Sequence, residues 1–303
     1  MKLRAWLSFA VFGSALLLFG CGGEGAPKST APAGSALAGN WLLVGPMPTT
    51  GLLLTPPTGF RLAMTFDVNG NNVIAGGSGN NSCGGGGESF GFASLTTGTI
   101  AADGSFVLQT PANFPIGTIS INGRVPETSG GSWPGSYTAS FSTHVLGPVA
   151  QTCNTNLTGT FTATPFPLVR GAYTGTGTSQ TTVNGLPVTT AISVGVVLQQ
   201  GGTVTSPITG LPFTSNTVLT GRINVQGSPC FTSGVTASTP LSAVEGNQIV
   251  ATFTMDDGST VALEGTLTDP TESTILTNVL LVVAGPCGKV PHLYQLPELD
   301  RQS

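Results

Sequence analysis

Five cysteines, two histidines and thirteen carboxylates are the side chains in this 303-residue chain best suited to chemistry. Their spacing argues against most of it. His144 and His292 stand far apart, and neither an H-E-x-x-H nor a G-x-S-x-G pattern occurs. The glycine-rich run CGGGGESFG, from Cys83 to Gly91, lacks the lysine that a phosphate-binding loop requires. No Cys-x-x-Cys is present to suggest a zinc or redox site. Asp67, Asn69 and Asn71 imitate the start of a calcium loop, but Asn72 stands where the sharp turn needs glycine, and Ser78 where a bidentate glutamate belongs. A hairpin turn accounts for them better. Glycoside cleavage needs two converging carboxylates. Asp256 and Asp257 are neighbours in a turn, Glu88, Glu127, Glu245 and Glu264 are scattered, and no pair can be named. The expectation is a protein without catalytic activity, metal or cofactor.

Aromatic residues offer a binding surface instead. Trp133 and Tyr137, in WPGSY, follow the small-residue stretch from Thr128 to Ser132 and would lie near a loop end. Exposed there, they could stack on sugar rings or cap a barrel mouth. The competing reading is a tryptophan that covers the core, which is also the expectation for Trp41.

The elements that must carry these residues are β-strands. Charged residues are 7% of the chain, against roughly 25% for an average protein, and there are 44 glycines. Short runs of Val, Ile, Leu and Phe nevertheless keep returning in alternation, which disordered chains lack. The formal charge of −4 and the absence of a basic cluster exclude nucleic acid as a partner. Asn69-Gly70, Asp103-Gly104, Asn184-Gly185 and Asp257-Gly258 accept the positive φ of tight hairpins. The clearest hairpin spans 249–265.

The chain also repeats itself. Residues 104–123 can be laid on 246–265 without a gap, each segment beginning and ending in glycine. Upstream, NNVIAGGSGNNSC (71–83) finds an echo in INVQGSPC (223–230), and Gly39-Asn40-Trp41 in Gly171-Ala172-Tyr173. The fold class is therefore all-β, with two tandem antiparallel domains from an internal duplication, over 39–166 and 167–303. Each is a meander barrel or a sandwich of seven or eight strands.

Lys2 and Arg4, followed by the apolar stretch from Ala5 to Gly20, read as a secretory signal over 1–20. Leu18-Phe19-Gly20-Cys21 resembles the lipobox of bacterial lipoproteins. That resemblance implies cleavage before Cys21 and lipid on its sulfur and new amino group, so the membrane is a partner; two or more acyl chains anchor stably where one does not. Residues 21–38, rich in Gly, Ala, Pro and Ser, form a tether with a reach of roughly 20–25 Å. Gly22, rather than aspartate, implies the outer membrane under the family's sorting rule. With Cys21 set aside, four cysteines remain, two per repeat. Repeat symmetry pairs Cys83 with Cys153 and Cys230 with Cys287, against the alternative of four free thiols.

Gly39-Asn40-Trp41 at the head of a meander also looks like the Gly-x-Trp start of lipocalins, although the family's Thr-Asp-Tyr element is absent. The resemblance implies a barrel that holds a small apolar ligand. Three functions follow: a lipid-anchored envelope protein that binds a glycan or an envelope protein, a lipocalin-like carrier, and an enzyme acting on polysaccharide.

Overall fold

The computed structural model describes residues 34–46, 60–80, 89–110, 117–144, 152–183, 186–205, 212–236, 242–271, 275–285 and 293–302. The signal, Cys21, most of the tether, Cys83, Cys287 and His292 lie outside these residues. Among the described residues every regular element is a strand.

The first eight strands are β1 (Gly39–Gly45), β2 (Phe60–Asn69), β3 (Asn72–Asn80), β4 (Ser89–Ile100), β5 (Ser105–Gln109), β6 (Gly117–Arg124), β7 (Trp133–His144) and β8 (Thr152–Phe166). Each is antiparallel to the next, and β8 pairs back onto β1 to close a barrel. Asn69-Gly70 and Asp103-Gly104 turn β2 into β3 and β4 into β5, and their glycines adopt φ of +60° and +83°. Closure leaves no sheet edge to be protected.

The second set is β9 (Arg170–Val183), β10 (Leu186–Thr205), β11 (Pro212–Gln226), β12 (Ser233–Thr236), β13 (Ala243–Glu245), β14 (Gln248–Met255), β15 (Thr260–Leu267), β16 (Ile275–Ala284) and β17 (Leu293–Arg301). This nine-stranded sheet also returns on itself, because β9 pairs with both β10 and β17 while β10 pairs with β11. The short β12 and β13 both bridge β11 and β14, so together they fill the fourth position of an eight-position ring.

The duplication is visible residue by residue. Gly39 and Gly171 open the two barrels with φ of +123° and +124°. Gly39 registers with Phe66 and Trp41 with Met64, and Gly171 registers with Leu198 and Tyr173 with Val196. Trp41 and Tyr173 are both buried, each at the start of its core. The two hairpins matched in the sequence occupy the fifth and sixth positions of their rings. Ile119 and Ile121 correspond without a gap to Val261 and Leu263, all of them inward. On the preceding strand the match is one residue out. Phe106 registers with Gly123 as Ile249 does with Gly265, and a slip of one residue exchanges the two faces of a strand.

Inward side chains alternate with outward ones along most strands, as a wall with one wet face requires. β2 departs from that rule. Leu62, Met64 and Phe66 face the first core, yet Ala63, Thr65 and Asp67 on the outer face are buried as well. The reason is the second barrel, whose β11 and β13 lie against β2. Both barrels thus belong to one compact unit, Pro32–Ser303, and the break between them falls in the three residues after β8.

At the junction Asn40 and Gln200 exchange side-chain amides. Asn40 Nδ2 donates to Gln200 Oε1 at 3.0 Å and Gln200 Nε2 to Asn40 Oδ1 at 2.7 Å. Gln200 also accepts from the Val169 N–H and donates to the Asn216 carbonyl. Thr65 Oγ1 lies 2.9 Å from the Val244 carbonyl and accepts from the Gly246 N–H. Buried amides and hydroxyls persist only when satisfied in this way.

Candidate functional site

The structure moves the aromatic pair indoors. Trp133 and Tyr137 lie on β7 rather than on an exposed loop end, and they are 2% and 1% exposed. The period of two on β7 turns positions 133, 137 and 139 to the interior, where large apolar rings remove the most surface from water. Trp133 is the hub of the first core, with ring centroids 5.4 Å from Phe106, 5.3 Å from Phe161 and 5.8 Å from Trp41, in edge-on geometry. Tyr137 stacks on Phe60 at 3.7 Å. The wall is fitted to these rings: a β-carbon at Gly135 would sit 2.3 Å from the Phe161 ring, and one at Gly159 would sit 2.8 Å from the Tyr137 hydroxyl. Among the described residues Trp133 Nε1 and the Tyr137 hydroxyl have no hydrogen-bond partner. Burial raises the tyrosine's pKa.

An external groove lies among the described residues, at a place no sequence motif marked. It encloses about 500 Å³ on the outer wall of the second barrel, over β11, β12 and β14. The register sets its side chains in two rows. Arg222, Val235 and Thr254 form one; Asn224 and Ser233 form the other, and Asp256 extends it through its N–H, which donates to the Ser233 carbonyl. Val235 is 54% exposed, an apolar surface among polar neighbours. The floor is backbone, and Gly234 fits it closely: a β-carbon there would sit 2.9 Å from the Thr254 carbonyl oxygen and 2.5 Å from Met255 Sδ.

Charge in the groove is fixed at one side. Asp256 accepts from Thr232 Oγ1 at 2.6 Å and from the Thr232 N–H at 3.0 Å. The hydroxyl bond contributes most, and the two together hold its pKa below the usual carboxylate value. Arg222 forms no ion pair among the described residues. The groove therefore offers a cation, a pinned anion, an amide, two hydroxyls and one isopropyl group.

The other sequence candidates do not converge on it. Asp67 leaves the hairpin turn to face the second barrel, while Asn69 and Gly70 turn the chain as expected. Glu264 lies on the exposed face of β15. His144 ends β7 opposite Thr152, and Cys153 registers with Thr143. Cys230 is disulfide-bonded, and its partner lies outside the described side chains. No group of three His, Cys, Asp or Glu able to hold a metal occurs among the described residues.

No family model matches the chain, and no curated protein does. Among solved structures, a protein of unknown function from the DUF3598 family, from Nostoc punctiforme, is similar over 89% of this chain and 98% of its own, with 11% identity and a TM-score of 0.27.

Proposed function

We propose that this chain is a non-catalytic, lipid-anchored protein of the cell envelope, outer membrane by its Gly22, that binds an acidic glycan in the groove of its second barrel. The groove carries the reading. Asn224, Ser233 and Thr254 match hydroxyl groups, Val235 matches the apolar face of a sugar ring, and Arg222 matches a carboxylate with a charge-assisted bond. Asp256 is the one carboxylate in it, and hydrolysis of a glycosidic bond would call for two. The anchor rests on Cys21 and the residues before it.

The proposed disulfides, Cys83–Cys153 and Cys230–Cys287, draw support from the topology. In each pair one cysteine follows the third strand position, and the other lies in the link between the seventh and eighth (Cys287) or at the start of the eighth strand (Cys153), positions that an antiparallel ring brings to the same end. The carrier reading has one observation in its favour, the unpartnered Trp133 Nε1 and Tyr137 hydroxyl inside the first barrel. Against it, the described rings around them pack on one another.

Array binding with acidic envelope oligosaccharides tests the groove. The wild type captures a subset, and Arg222→Ala binds that subset at least about tenfold more weakly, the loss of one charge-assisted bond. Equal capture by the variant, or no capture by the wild type, contradicts the proposal.

A further inference from the structure

Asp67 is a carboxylic acid buried between two barrels, and no cation meets it among the described residues. It is 5% exposed on the outer face of β2. From the second barrel it receives the Ser215 hydroxyl on Oδ2 at 2.6 Å and the Asn216 N–H on Oδ1. Ser215 Oγ in turn lies 2.7 Å from Thr217 Oγ1. This chain of hydroxyls can serve either protonation state. Ionised, Asp67 accepts from Ser215; protonated, it donates to Ser215, whose own hydrogen passes to Thr217. Every bond is kept, so the two states differ in buried charge alone.

The surrounding elements offer that charge no partner. β1 and β3, the sheet neighbours of β2, contain no titratable residue. On β11 the only charged residue is Arg222, which faces the groove further along the strand. On β2 itself Arg61 is six residues away and exposed. β13 brings a second acid, Glu245, which bonds to Ser78 and whose pKa is likewise raised by burial.

We infer that the contact between the two barrels is a pH-sensitive latch, closed while Asp67 is protonated and loosened when it ionises. Contacts between two such bodies within one chain resemble transient interfaces, for which relative motion is the ordinary expectation. Burial pushes the Asp67 pKa up to about 6 in spite of hydrogen bonds from Ser215 and from the backbone and side chain of Asn216. With the barrels apart it would return toward the ordinary aspartate value near 3.9. The sign follows from proton counts. Between these two pH values the closed state holds a proton that the open state has lost, so rising pH favours opening, and the effect is complete above about 6. Roughly two pKa units correspond to a shift of about 100-fold in the closed-to-open ratio.

Fluorescence energy transfer measures this in the full chain, held in lipid nanodiscs, with dyes on unnatural amino acids at the exposed positions Thr138 and Glu264. Transfer is expected to be highest near pH 4, to fall with a midpoint near 5 as the pH rises to about 6, and to change little from there to pH 8. Asp67→Asn keeps the high value throughout. Ser215→Ala, which removes a donor to the ionised form, moves the midpoint upward. A wild type whose transfer does not change with pH, or an Asp67→Asn chain that titrates as the wild type does, overturns the latch.

Discussion

Gly39 and Gly171 hold backbone angles that a side chain strains, and they do so at matching places in the two barrels. No atom lies within 4 Å of a β-carbon built at Gly39, so a substitution there tests the backbone alone. Gly39→Ala should lower stability by about 1–2 kcal/mol, read as a reduced denaturant midpoint with an unchanged slope. An unaltered midpoint would mean that the turn into β1 tolerates an ordinary residue. At the same scale, Trp133 shows what a sequence can and cannot say. Its place on one face with Tyr137 and Ala139 is legible from the period of two. That the face points inward is set by the closure of the ring, which no local pattern records. Gly135 and Gly159, both pressed against interior rings, are the residues that could have told, because glycine on one face of a strand marks close approach.

Strands and hairpins were the most legible level. Three of the four Asn-Gly and Asp-Gly pairs form the turns expected of them, and the fourth, outside the described residues, separates the cross-strand partners Val183 and Leu186. The repeated hairpins fall at the same ring positions, and the one-residue slip between β5 and β14 is absorbed by loops of different length. The groove was not legible, because Arg222 and Asp256 meet only through the register of β11, β12 and β14. Nor was the junction, since Asn40 and Gln200 are 160 residues apart and read as ordinary strand polars. Their reciprocal pair makes a prediction at this scale. Asn40→Ala and Gln200→Ala should each cost about 1–3 kcal/mol, because each leaves a buried amide unsatisfied. In a double-mutant cycle on the full chain, the pair should couple by at least about 0.5 kcal/mol. Strict additivity would mean that the two amides do not act together.

At the scale of the molecule, two closed barrels share one compact unit, and their outer walls carry hydroxyls and amides with few charges. Their described cores are packed with rings and branched side chains, and the proposed recognition site is outside, in the groove on the second barrel. A lipid on Cys21, as proposed, would hold this unit at a membrane. The place of this unit at a membrane depends on that lipid. The deciding measurement is the intact mass of the protein extracted gently from its own membrane. The account predicts a chain that has lost residues 1–20 and carries the mass of two or three acyl chains at Cys21. A chain with an unmodified Cys21, or one cut elsewhere, would contradict it.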